Sequence, residues 1–269
     1  MTTKAVVLAR GKGNRMRADD PSATLTPEQR RAADAGLKAM MPIAGRPFLD
    51  YILSGLADAG IREVGLVVAP DHDLLRAYYA VDAPPSRIAL AFLVQREARG
   101  TANAVLAAEA WTGGDGFLVM NGDNLYPVEA LRNLASLDEP GLPVFERADL
   151  VRSSNMPEER IRAFALVDVG PDGHLRRIIE KPTAEMMERS GDRALVSMNC
   201  WRFDSRIFDA CRDVPISVRG EFELPEAVGL AVARGIHFKT IPARGPVLDL
   251  SSRADAAALA AKVRRDIRL

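Results

Sequence analysis

A glycine-rich segment carrying a cation follows the first apolar run of the chain. Residues 5–9 read as a buried strand, and Gly11, Gly13 and Arg15 come directly after it. Glycines lack the Cβ atom that keeps a backbone away from an anion, successive N–H groups can point at phosphate oxygens, and arginine adds charge in a fork geometry. The segment predicts a phosphate-binding turn, with a tight turn after an edge strand as the alternative. It has neither the Gly-Lys-Ser/Thr of a Walker A loop nor the third glycine of a dinucleotide fingerprint.

Two carboxylates stand where a metal ion could be held beside phosphates. Asp123 follows a strand predicted over residues 117–120, and Asp249 precedes the last predicted helix. In open α/β sheets, ligands bind beyond the carboxyl ends of the parallel strands. A carboxylate at that place suits Mg²⁺, which also binds phosphate oxygens. Helix capping is the alternative role for both residues, because aspartate is a favoured cap.

Three further charged side chains stand at positions that favour ligand binding. Glu180 and Lys181 end a predicted strand before Pro182, which cannot continue the ladder. Lys181 could neutralise a phosphate and Glu180 could accept hydrogen bonds from hydroxyl groups, while a solvated surface pair is the alternative. Lys38 lies in an apolar setting, which is typical of a buried stem whose ammonium group reaches a pocket.

Polar groups that could read a nucleotide base follow the third predicted strand. The side-chain amide of Gln95 and the backbone around Gly100 and Thr101 offer donors and acceptors, with loop solvation as the alternative for Gln95. The three histidines, His72, His174 and His237, form no constellation with a nucleophile. Nucleophilic hydrolysis is therefore not expected.

Strand and helix patterns alternate along the first half, which predicts a mostly parallel sheet with helices on both faces. The predicted strands are 5–9, 64–69, 88–94 and 117–120. The predicted helices begin at Pro47, at Asp71 as a cap and at Thr101 as a cap, the last reaching residue 111. In the second half we expect a hairpin of 163–169 and 174–180 around Gly173, strands 196–203 and 237–241, a helix 224–233, and a last helix capped by Ser251 or Ser252 and ending near Arg265.

These patterns predict an α/β, Rossmann-like, mixed sheet with a smaller β-hairpin substrate lobe. We expect one domain over 1–269, with a nucleotide-binding half of about 1–140 and a second half of about 141–269. A helical insertion interrupts at 18–36. Thr26, Pro27 and Gln29 form a capping box with proline in the first turn, and Gly36 can end this helix. One hypothesis is that its Arg30 or Arg31 faces a bound phosphate.

Composition excludes several classes of protein. Lys plus Arg equals Asp plus Glu, 36 each, which argues against broad nucleic-acid binding. No apolar run is long enough to span a membrane, and no signal peptide precedes the first strand. We expect a cytoplasmic protein in which Cys200 and Cys211 are reduced structural thiols. The oligomeric state is left open, with a homo-oligomer as one alternative.

Taken in order, five segments give the chain a resemblance to the sugar-1-phosphate nucleotidyltransferases, which include glucose-1-phosphate thymidylyltransferases and uridylyltransferases and mannose-1-phosphate guanylyltransferases. Weaker support comes from 220–224 and Asp249. The match spans nearly the whole chain. The five segments are Leu8-Ala9-Arg10-Gly11-Lys12-Gly13-Asn14-Arg15-Met16, Lys38-Ala39-Met40-Met41-Pro42-Ile43-Ala44-Gly45-Arg46-Pro47, Gly100-Thr101-Ala102-Asn103-Ala104-Val105, Phe117-Leu118-Val119-Met120-Asn121-Gly122-Asp123 and Ile179-Glu180-Lys181-Pro182.

The resemblance implies transfer of a nucleotidyl group from a nucleoside triphosphate to a sugar-1-phosphate, with Mg²⁺ as cofactor. Arg15, Lys38 and Lys181 would contact phosphates at the reacting centre, and Asp123 and Asp249 would bind the metal. The residues implied for the nucleotide are Ala9, Gly11, Gly13, Asn14, Gln95, Gly100 and Thr101. Those implied for the sugar phosphate are Asn121, Gly122, Glu180, Lys181 and Asn199.

The chain also departs from the family pattern. Arg10 stands where a small residue is usual, Asn14 where threonine or serine is frequent, and Val247 where tryptophan is frequent. The segment 250–252 replaces the usual Val-Gly-Thr, and Lys38 lacks flanking prolines. An altered sugar pocket is the hypothesis that follows. The alternatives are an inactive regulatory subunit of the same fold and a guanylyltransferase acting on a cofactor phosphate.

Overall fold

A mixed sheet runs through the computed structural model, which describes residues 1–11, 13–21, 23–191, 193–263 and 266–269. Within those residues the large sheet has ten strands, and two pairs of two-residue strands lie outside it. In chain order the strands are β1 Lys4–Leu8, β2 Pro42–Ile43, β3 Arg46–Pro47, β4 Glu63–Val68, β5 Ala89–Val94, β6 Phe117–Asn121, β7 Asn124–Leu125, β8 Gly141–Glu146, β9 Leu166–Val169, β10 Leu175–Ile179, β11 Leu195–Ser197, β12 Cys200–Phe203, β13 Lys239–Ala243 and β14 Leu248–Asp249.

Helices cover both faces of this sheet. A 3₁₀ helix at Lys38–Met40 and a π-helix at Tyr78–Asp82 accompany the α-helices. The α-helices are α1 Asn14–Arg17, α2 Pro27–Asp34, α3 Phe48–Asp58, α4 Asp73–Ala77, α5 Thr101–Leu106, α6 Glu109–Thr112, α7 Val128–Ser136, α8 Arg147–Ser153, α9 Glu158–Ile161, α10 Ala184–Ser190, α11 Ile207–Asp213, α12 Leu224–Ala233 and α13 Asp255–Ala260. None of the helices in the described ranges has the length and apolarity to cross a membrane.

The sheet order is β10-β9-β11-β8-β12-β6-β1-β4-β5, and β13 lies alongside β8. The four strands that the first half contributes to the large sheet, β1, β4, β5 and β6, are parallel, as the sequence predicts. Their register places Leu8 beside both Val67 and Asn121, so the carboxyl ends of β1, β4 and β6 meet at one edge. Residues of β1 alternate between two cores: Ala5 and Val7 pack into one, and Val6 into the other. The predicted fold class is confirmed.

The second half continues the same sheet with mainly antiparallel strands. Strand β12 pairs with β6, and β11 and β9 extend the sheet to the predicted hairpin. This hairpin of β9 and β10 is confirmed, with Gly173 at φ 77° in its turn. The hairpin lobe is therefore an edge of the main sheet and not a separate layer.

Local sequence signals at two helix ends are confirmed. The Oγ1 of Thr26 accepts a hydrogen bond from the backbone N–H of Gln29, and the side chain of Gln29 accepts one from the N–H of Thr26. Gly36, at φ 71°, follows the cap of α2, and Gly60, at φ 97°, follows the cap of α3. A glycine at these positions is expected because the left-handed region is costly for other residues.

Several predicted boundaries are wrong. His72 and not Asp71 precedes α4, and Gly100 and not Thr101 is the N-cap of α5, whose helix breaks before α6. The single strand predicted over 196–203 is two strands, because Asn199 adopts φ 57° between them.

The last helix starts at Asp255 with Ala254 as its N-cap, so neither serine caps it, and the predicted end at Arg265 lies outside the described residues. Strand β8 and helices α8 to α11 were not predicted. Cys200 and Cys211 are free and buried, and burial raises the pKa of both thiols, that of Cys211 to about 12.

Candidate active site

A cleft of about 390 Å³ opens at the carboxyl ends of β1, β5 and β6. Most of the residues predicted for the nucleotide and the metal line it. Six residues that were not predicted as site residues line it as well: Leu8, Arg10, Ala98, Ala104, Glu221 and Ser251. The predicted residues at this cleft are Gly11, Gly13, Asn14, Arg15, Lys38, Gln95, Gly100, Thr101, Asn121 and Asp123.

The glycine turn after β1 is shaped by close backbone packing. Gly13 has φ 64°, and a Cβ atom there would lie 2.4 Å from the carbonyl oxygen of Gly36. No larger residue fits without moving one of the two backbones. Gly11 has open space around it on the cleft side, while Lys12 lies outside the described residues. The turn therefore presents a backbone that an anion can approach.

Arg10 connects the glycine turn to the segment that follows β5. Its Nε donates to the carbonyl oxygen of Gln95 at 3.0 Å and its Nη2 to that of Arg96 at 3.3 Å. The arginine that departs from the family pattern thus ties the glycine turn to the end of β5. Neither Arg30 nor Arg31 of the insertion lines the cleft, and Arg31 pairs with Glu28 at 3.4 Å. The hypothesis that one of these two arginines faces a phosphate there is not supported.

Lys38 and Asp123 meet at the centre of the cleft. The Nζ of Lys38 lies 3.2 Å from Oδ2 of Asp123, and both side chains are partly exposed. Ala9 and Gly122 line a smaller adjoining cavity together with Lys38, Asp123 and His72. The Nδ1 of His72 accepts a hydrogen bond from the N–H of Ala69, and burial lowers the pKa of this histidine. His72 therefore stabilises the start of α4 as a neutral ring.

Asp249 lies behind Asp123 and is held by several donors. The backbone N–H of Leu250 donates to the carbonyl oxygen of Asp123, which brings the two aspartates together. Oδ1 of Asp249 accepts from Arg160 at 2.7 Å, and Oδ2 accepts from Asn124 and Ser251 at 3.0 and 3.1 Å. Burial raises the pKa of Asp249 to about 6, and the charge of Asp123 adds to this rise.

The two aspartates are not equally suited to bind a metal ion. Asp123 presents its carboxylate to the cleft, whereas Asp249 is 3% exposed and already neutralised by Arg160. Within the described ranges, three or more His, Cys, Asp or Glu side chains do not come together as a self-sufficient metal site. Phosphate oxygens would have to complete the coordination of a Mg²⁺ ion, as is usual for this ion.

A buried amide organises the side of the cleft where the sequence predicts binding of a nucleotide base. Gln95 is 5% exposed, and its Nε2 donates to the carbonyl oxygen of Gly100 at 3.1 Å and to Oδ1 of Asn103 at 2.9 Å. With both amide protons engaged, the side-chain oxygen is the group that can accept from a base. The Oγ1 of Thr101 accepts from the N–H of Leu224, so this side chain fastens α5 to α12.

The predicted sugar-phosphate residues are not among those that line the cleft, except Asn121. The pairing of Cys200 with Met120 places Asn199 next to Asn121 at the same sheet edge. The hydroxyl group of Tyr126 stabilises the irregular backbone between β11 and β12 by donating a hydrogen bond to the carbonyl oxygen of Met198 at 2.6 Å.

The open end of the hairpin carries the predicted acidic and basic pair. Oε2 of Glu180 is buried without a hydrogen-bond partner among the described residues, and Lys181 has φ 47°. Burial, helped by the charge of Glu223, raises the pKa of Glu180 to about 7. Glu223 itself is bound by Arg219 through two hydrogen bonds of 2.8 and 2.5 Å. The unpaired carboxyl oxygen of Glu180 is therefore available to accept a hydrogen bond from a ligand.

Arg160 and Arg253 were missed by sequence analysis. Arg160 lies in a helix that no pattern predicted, and it contacts both Asp249 and Asp255. Arg253 reaches the glycine turn from the far end of the chain. Nothing in the local sequence of either residue indicates these contacts, because they depend on the tertiary fold.

Comparison with known proteins gives consistent matches. The sequence model of the family described as nucleotidyl transferase matches residues 4–246. The chain is 28% identical over 256 residues to UTP–glucose-1-phosphate uridylyltransferase AglF of Haloferax volcanii, covering 94% of this chain and 93% of that one. It is 28% identical over 253 residues to a glucose-1-phosphate thymidylyltransferase of Streptomyces antibioticus, covering 94% and 64%.

Other relatives are longer than this chain. It spans about half the length of several of them, including 56% of the low-salt glycan biosynthesis nucleotidyltransferase Agl11 of Haloferax volcanii, at 27% identity over 84% of this chain. A solved structure of UDP-glucose pyrophosphorylase complexed with UDP-glucose aligns with a TM-score of 0.74 over 97% of this chain and 98% of that one. The identity there is 17%, so this likeness concerns the fold.

Proposed function

The chain belongs to the nucleotidyl transferase family, and on that premise we propose that it transfers a nucleotidyl group from a nucleoside triphosphate to a sugar-1-phosphate. The observation that carries the proposal is one sheet edge that holds the glycine turn, the Lys38–Asp123 pair and Asn199. The relatives named as uridylyl- and thymidylyltransferases of glucose-1-phosphate support the same reaction class.

The reaction requires alignment of two polyanions more than proton transfer. An oxygen of the sugar phosphate attacks the α-phosphorus of the triphosphate in line, a P–O bond forms, and the bond to the β-phosphate breaks as pyrophosphate leaves. The nucleophile is already an anion at neutral pH, so no general base is needed. The work left to the protein is positioning and charge neutralisation.

The residues of this chain divide between the two substrates. Arg15 and Lys38, both lining the cleft, would contact the triphosphate with the backbone of Gly11 and Gly13. Gln95, Gly100 and Thr101 would hold the base end. For the sugar-1-phosphate, Lys181 would bind the phosphate group, while Glu180 and Asn199 would form hydrogen bonds with the hydroxyl groups of the sugar.

Asp123, with Asp249 behind it, would hold Mg²⁺ beside the phosphates. The metal supplies charge neutralisation on the phosphate oxygens. In this structure, Lys38 compensates the charge of Asp123 at 3.2 Å. When a triphosphate enters, this lysine can turn to a phosphate because its side chain is partly exposed and is not enclosed by other groups.

The proposal is tested by measuring pyrophosphate release with Mg²⁺, crossing UTP, dTTP, GTP, ATP and CTP with a panel of sugar-1-phosphates. We expect release that needs both substrates. Asp123→Asn should lower kcat by at least about a hundredfold, because one charge at the reacting phosphate is lost. Asp209→Asn, at an exposed aspartate that pairs with Arg212, is the matched control and should leave kcat unchanged.

Two outcomes would contradict the proposal. If no pair releases pyrophosphate while a triphosphate binds, the chain is a regulatory subunit of the same fold. If pyrophosphate is released only with a cofactor phosphate as the acceptor and not with a sugar-1-phosphate, the chain is a guanylyltransferase acting on a cofactor phosphate.

A further inference from the structure

The guanidinium of Arg253 joins three separate segments behind the glycine turn. Its Nε donates to the carbonyl oxygen of Met16 at 2.9 Å, and its Nη2 donates to that of Arg17 at 3.1 Å and to Oδ1 of Asp34 at 2.6 Å. The side chain is 7% exposed, so the group is almost fully removed from water. A buried guanidinium is costly unless its donors are satisfied, and here the partners are carbonyl oxygens and a carboxylate.

Arg253 binds the carboxyl-terminal end of α1, where carbonyl oxygens lack partners within the helix. Met16 and Arg17 are the last two residues of this four-residue helix, and their carbonyl oxygens have no following helical turn to bond. Arg253 supplies the missing donors. The turn that begins at Gly11 is thereby held at its far end by a residue from the last part of the chain.

The insertion adds a second contact to the same turn. The carbonyl oxygen of Gly36 packs against Gly13, and Gly36 in turn lies against the guanidinium of Arg17. Nη2 of Arg17 donates to the carbonyl oxygen of Ala35 at 2.9 Å. The end of helix α2 therefore forms the floor of the glycine turn, and Asp34 at that end holds Arg253.

Arg253 is also close in sequence to the metal side of the cleft. It follows Ser251, which lines the cleft, and comes four positions after Asp249. The backbone from Asp249 to Arg253 thus connects the candidate metal site to the rear of the glycine turn. A shift of this arginine would move the two parts of the triphosphate site relative to each other.

We propose that Arg253 is a positioning residue for the triphosphate, and that the insertion 18–36 is its anchor through Asp34 and Gly36. Arg253 is not among the residues that line the cleft. It sets the distance between the glycine turn and the Asp123–Asp249 pair. This inference rests on the proposed function, because it assigns the glycine turn to a triphosphate.

The test compares two ligands of the same base, so that the phosphate part is separated from the base part. The α,β-methylene analogues of UTP, dTTP, GTP, ATP and CTP are titrated with Mg²⁺ by calorimetry, and the tightest one is compared with its nucleoside monophosphate. In Arg253→Met we expect the analogue to bind about tenfold more weakly, while the monophosphate changes less than about twofold. Asp34→Asn should weaken analogue binding in the same direction by a smaller factor.

The matched control is Arg202→Met, because Arg202 is a similarly buried arginine that bonds to Thr2 near the amino end of β1, at the opposite end of the strand from the cleft. It should lower the melting temperature without changing the ratio of the two affinities. Equal weakening of analogue and monophosphate in Arg253→Met, or the same ratio change in Arg202→Met, would overturn the inference. If Arg253→Met does not fold, Asp34→Asn decides alone, and an unchanged ratio there overturns it.

Failure of the two proposals can be told apart. If the wild-type protein binds none of the triphosphate analogues, the proposed function fails. If wild type binds the analogue and the variants bind it equally well, only the positioning role fails.

Discussion

The two aspartates predicted to bind the metal, Asp123 and Asp249, differ in their immediate surroundings. Asp123 faces solvent and Lys38, whereas Asp249 is enclosed by Arg160, Asn124 and Ser251. An ion pair at 2.7 Å to a 3% exposed carboxylate removes much of the charge that a metal would seek. At the level of single residues, Asp123 is thus the stronger candidate for direct metal binding, and Asp249 supports the loop that carries it.

Glu180 offers a prediction about pH and stability. Its pKa is raised from 4.5 to about 7, chiefly by burial and then by Glu223, against the lowering effect of Arg219 and Lys181. The folded state therefore keeps this proton at pH values where the unfolded chain has lost it. The free energy of unfolding should fall as pH rises from about 4.5 to about 7. Above that pH, Glu180 is ionised in both states and contributes no further pH dependence.

Glu180→Gln removes this dependence because the amide cannot ionise. We expect the variant to be more stable than wild type by about 3 kcal/mol at pH 8 and about equal to it at pH 4.5. Urea unfolding at pH 4.5, 6 and 8 measures this difference. Glu185→Gln, an exposed glutamate on α10, is the control. The prediction fails if the difference between Glu180→Gln and wild type does not change with pH.

At the scale of elements, Gly100 joins the start of α5 to the start of α12. It adopts φ 107° and ψ 177°, and a Cβ atom there would lie 2.4 Å from the carbonyl oxygen of Phe222. The N–H of Ala102 donates to that same oxygen, so the two helices cannot separate easily. The carbonyl oxygen of Gly100 also accepts from Gln95, which links this junction to the base side of the cleft.

Gly100→Ala should therefore damage both stability and nucleotide binding. We expect a loss of about 3 kcal/mol in unfolding free energy, from a backbone region open mainly to glycine and from the clash. Monophosphate affinity should fall as Gln95 shifts. Gly113→Ala is the matched control, because Gly113 also has positive φ, at 63°, but nothing lies near its Cβ position. It should cost about 1 kcal/mol and leave affinity unchanged, as urea unfolding and calorimetry can show. Equal effects in the two variants would contradict the role of close packing at Gly100.

The elements that sequence could predict are those that local chemistry specifies. The capping box at Thr26, the turn at Gly173 and the apolar strands of the first half each depend on residues a few positions apart. Strand β8 was missed because its six residues include Pro143, which argues against an inner strand. The break at Asn199 was missed because a non-glycine residue with positive φ is held there by tertiary contacts such as those of Tyr126.

The same limit applies to the site. Residue types and spacing, together with the family resemblance, predicted ligand-binding roles for the glycine turn, Lys38, Gln95 and Asp123, and these residues line one cleft. They could not reveal Arg160 or Arg253, whose partners lie more than eighty positions away in the chain. Long-range ion pairs leave no periodic or spacing signal, so only the fold discloses them.

At the scale of the whole molecule, the two halves share one sheet and both cores. Strand β12 of the second half pairs with β6 of the first, and Phe117 stacks on Phe208 with ring centroids 5.5 Å apart. Each hydrophobic cluster contains residues from both halves. Neither half can therefore bury its apolar surface alone, which supports the prediction of a single domain.

The final prediction is that residues 1–269 unfold as one cooperative unit. The chain holds two tryptophans, Trp111 in α6 and Trp201 in β12, so each half carries one fluorescent reporter. In Trp201→Phe the fluorescence reports the first half, and in Trp111→Phe it reports the second, while far-ultraviolet circular dichroism follows the whole chain. Within each variant, the fluorescence and dichroism transitions in urea should have the same midpoint, because β6 and β12 cannot separate without exposing both cores. A Trp111 signal that changes at a different urea concentration from the dichroism of the same variant would mean that the halves unfold independently. The sheet edge that brings Asn121 and Asn199 together would then not be held by a common fold, and the two proposed substrate sites could separate before the protein unfolds.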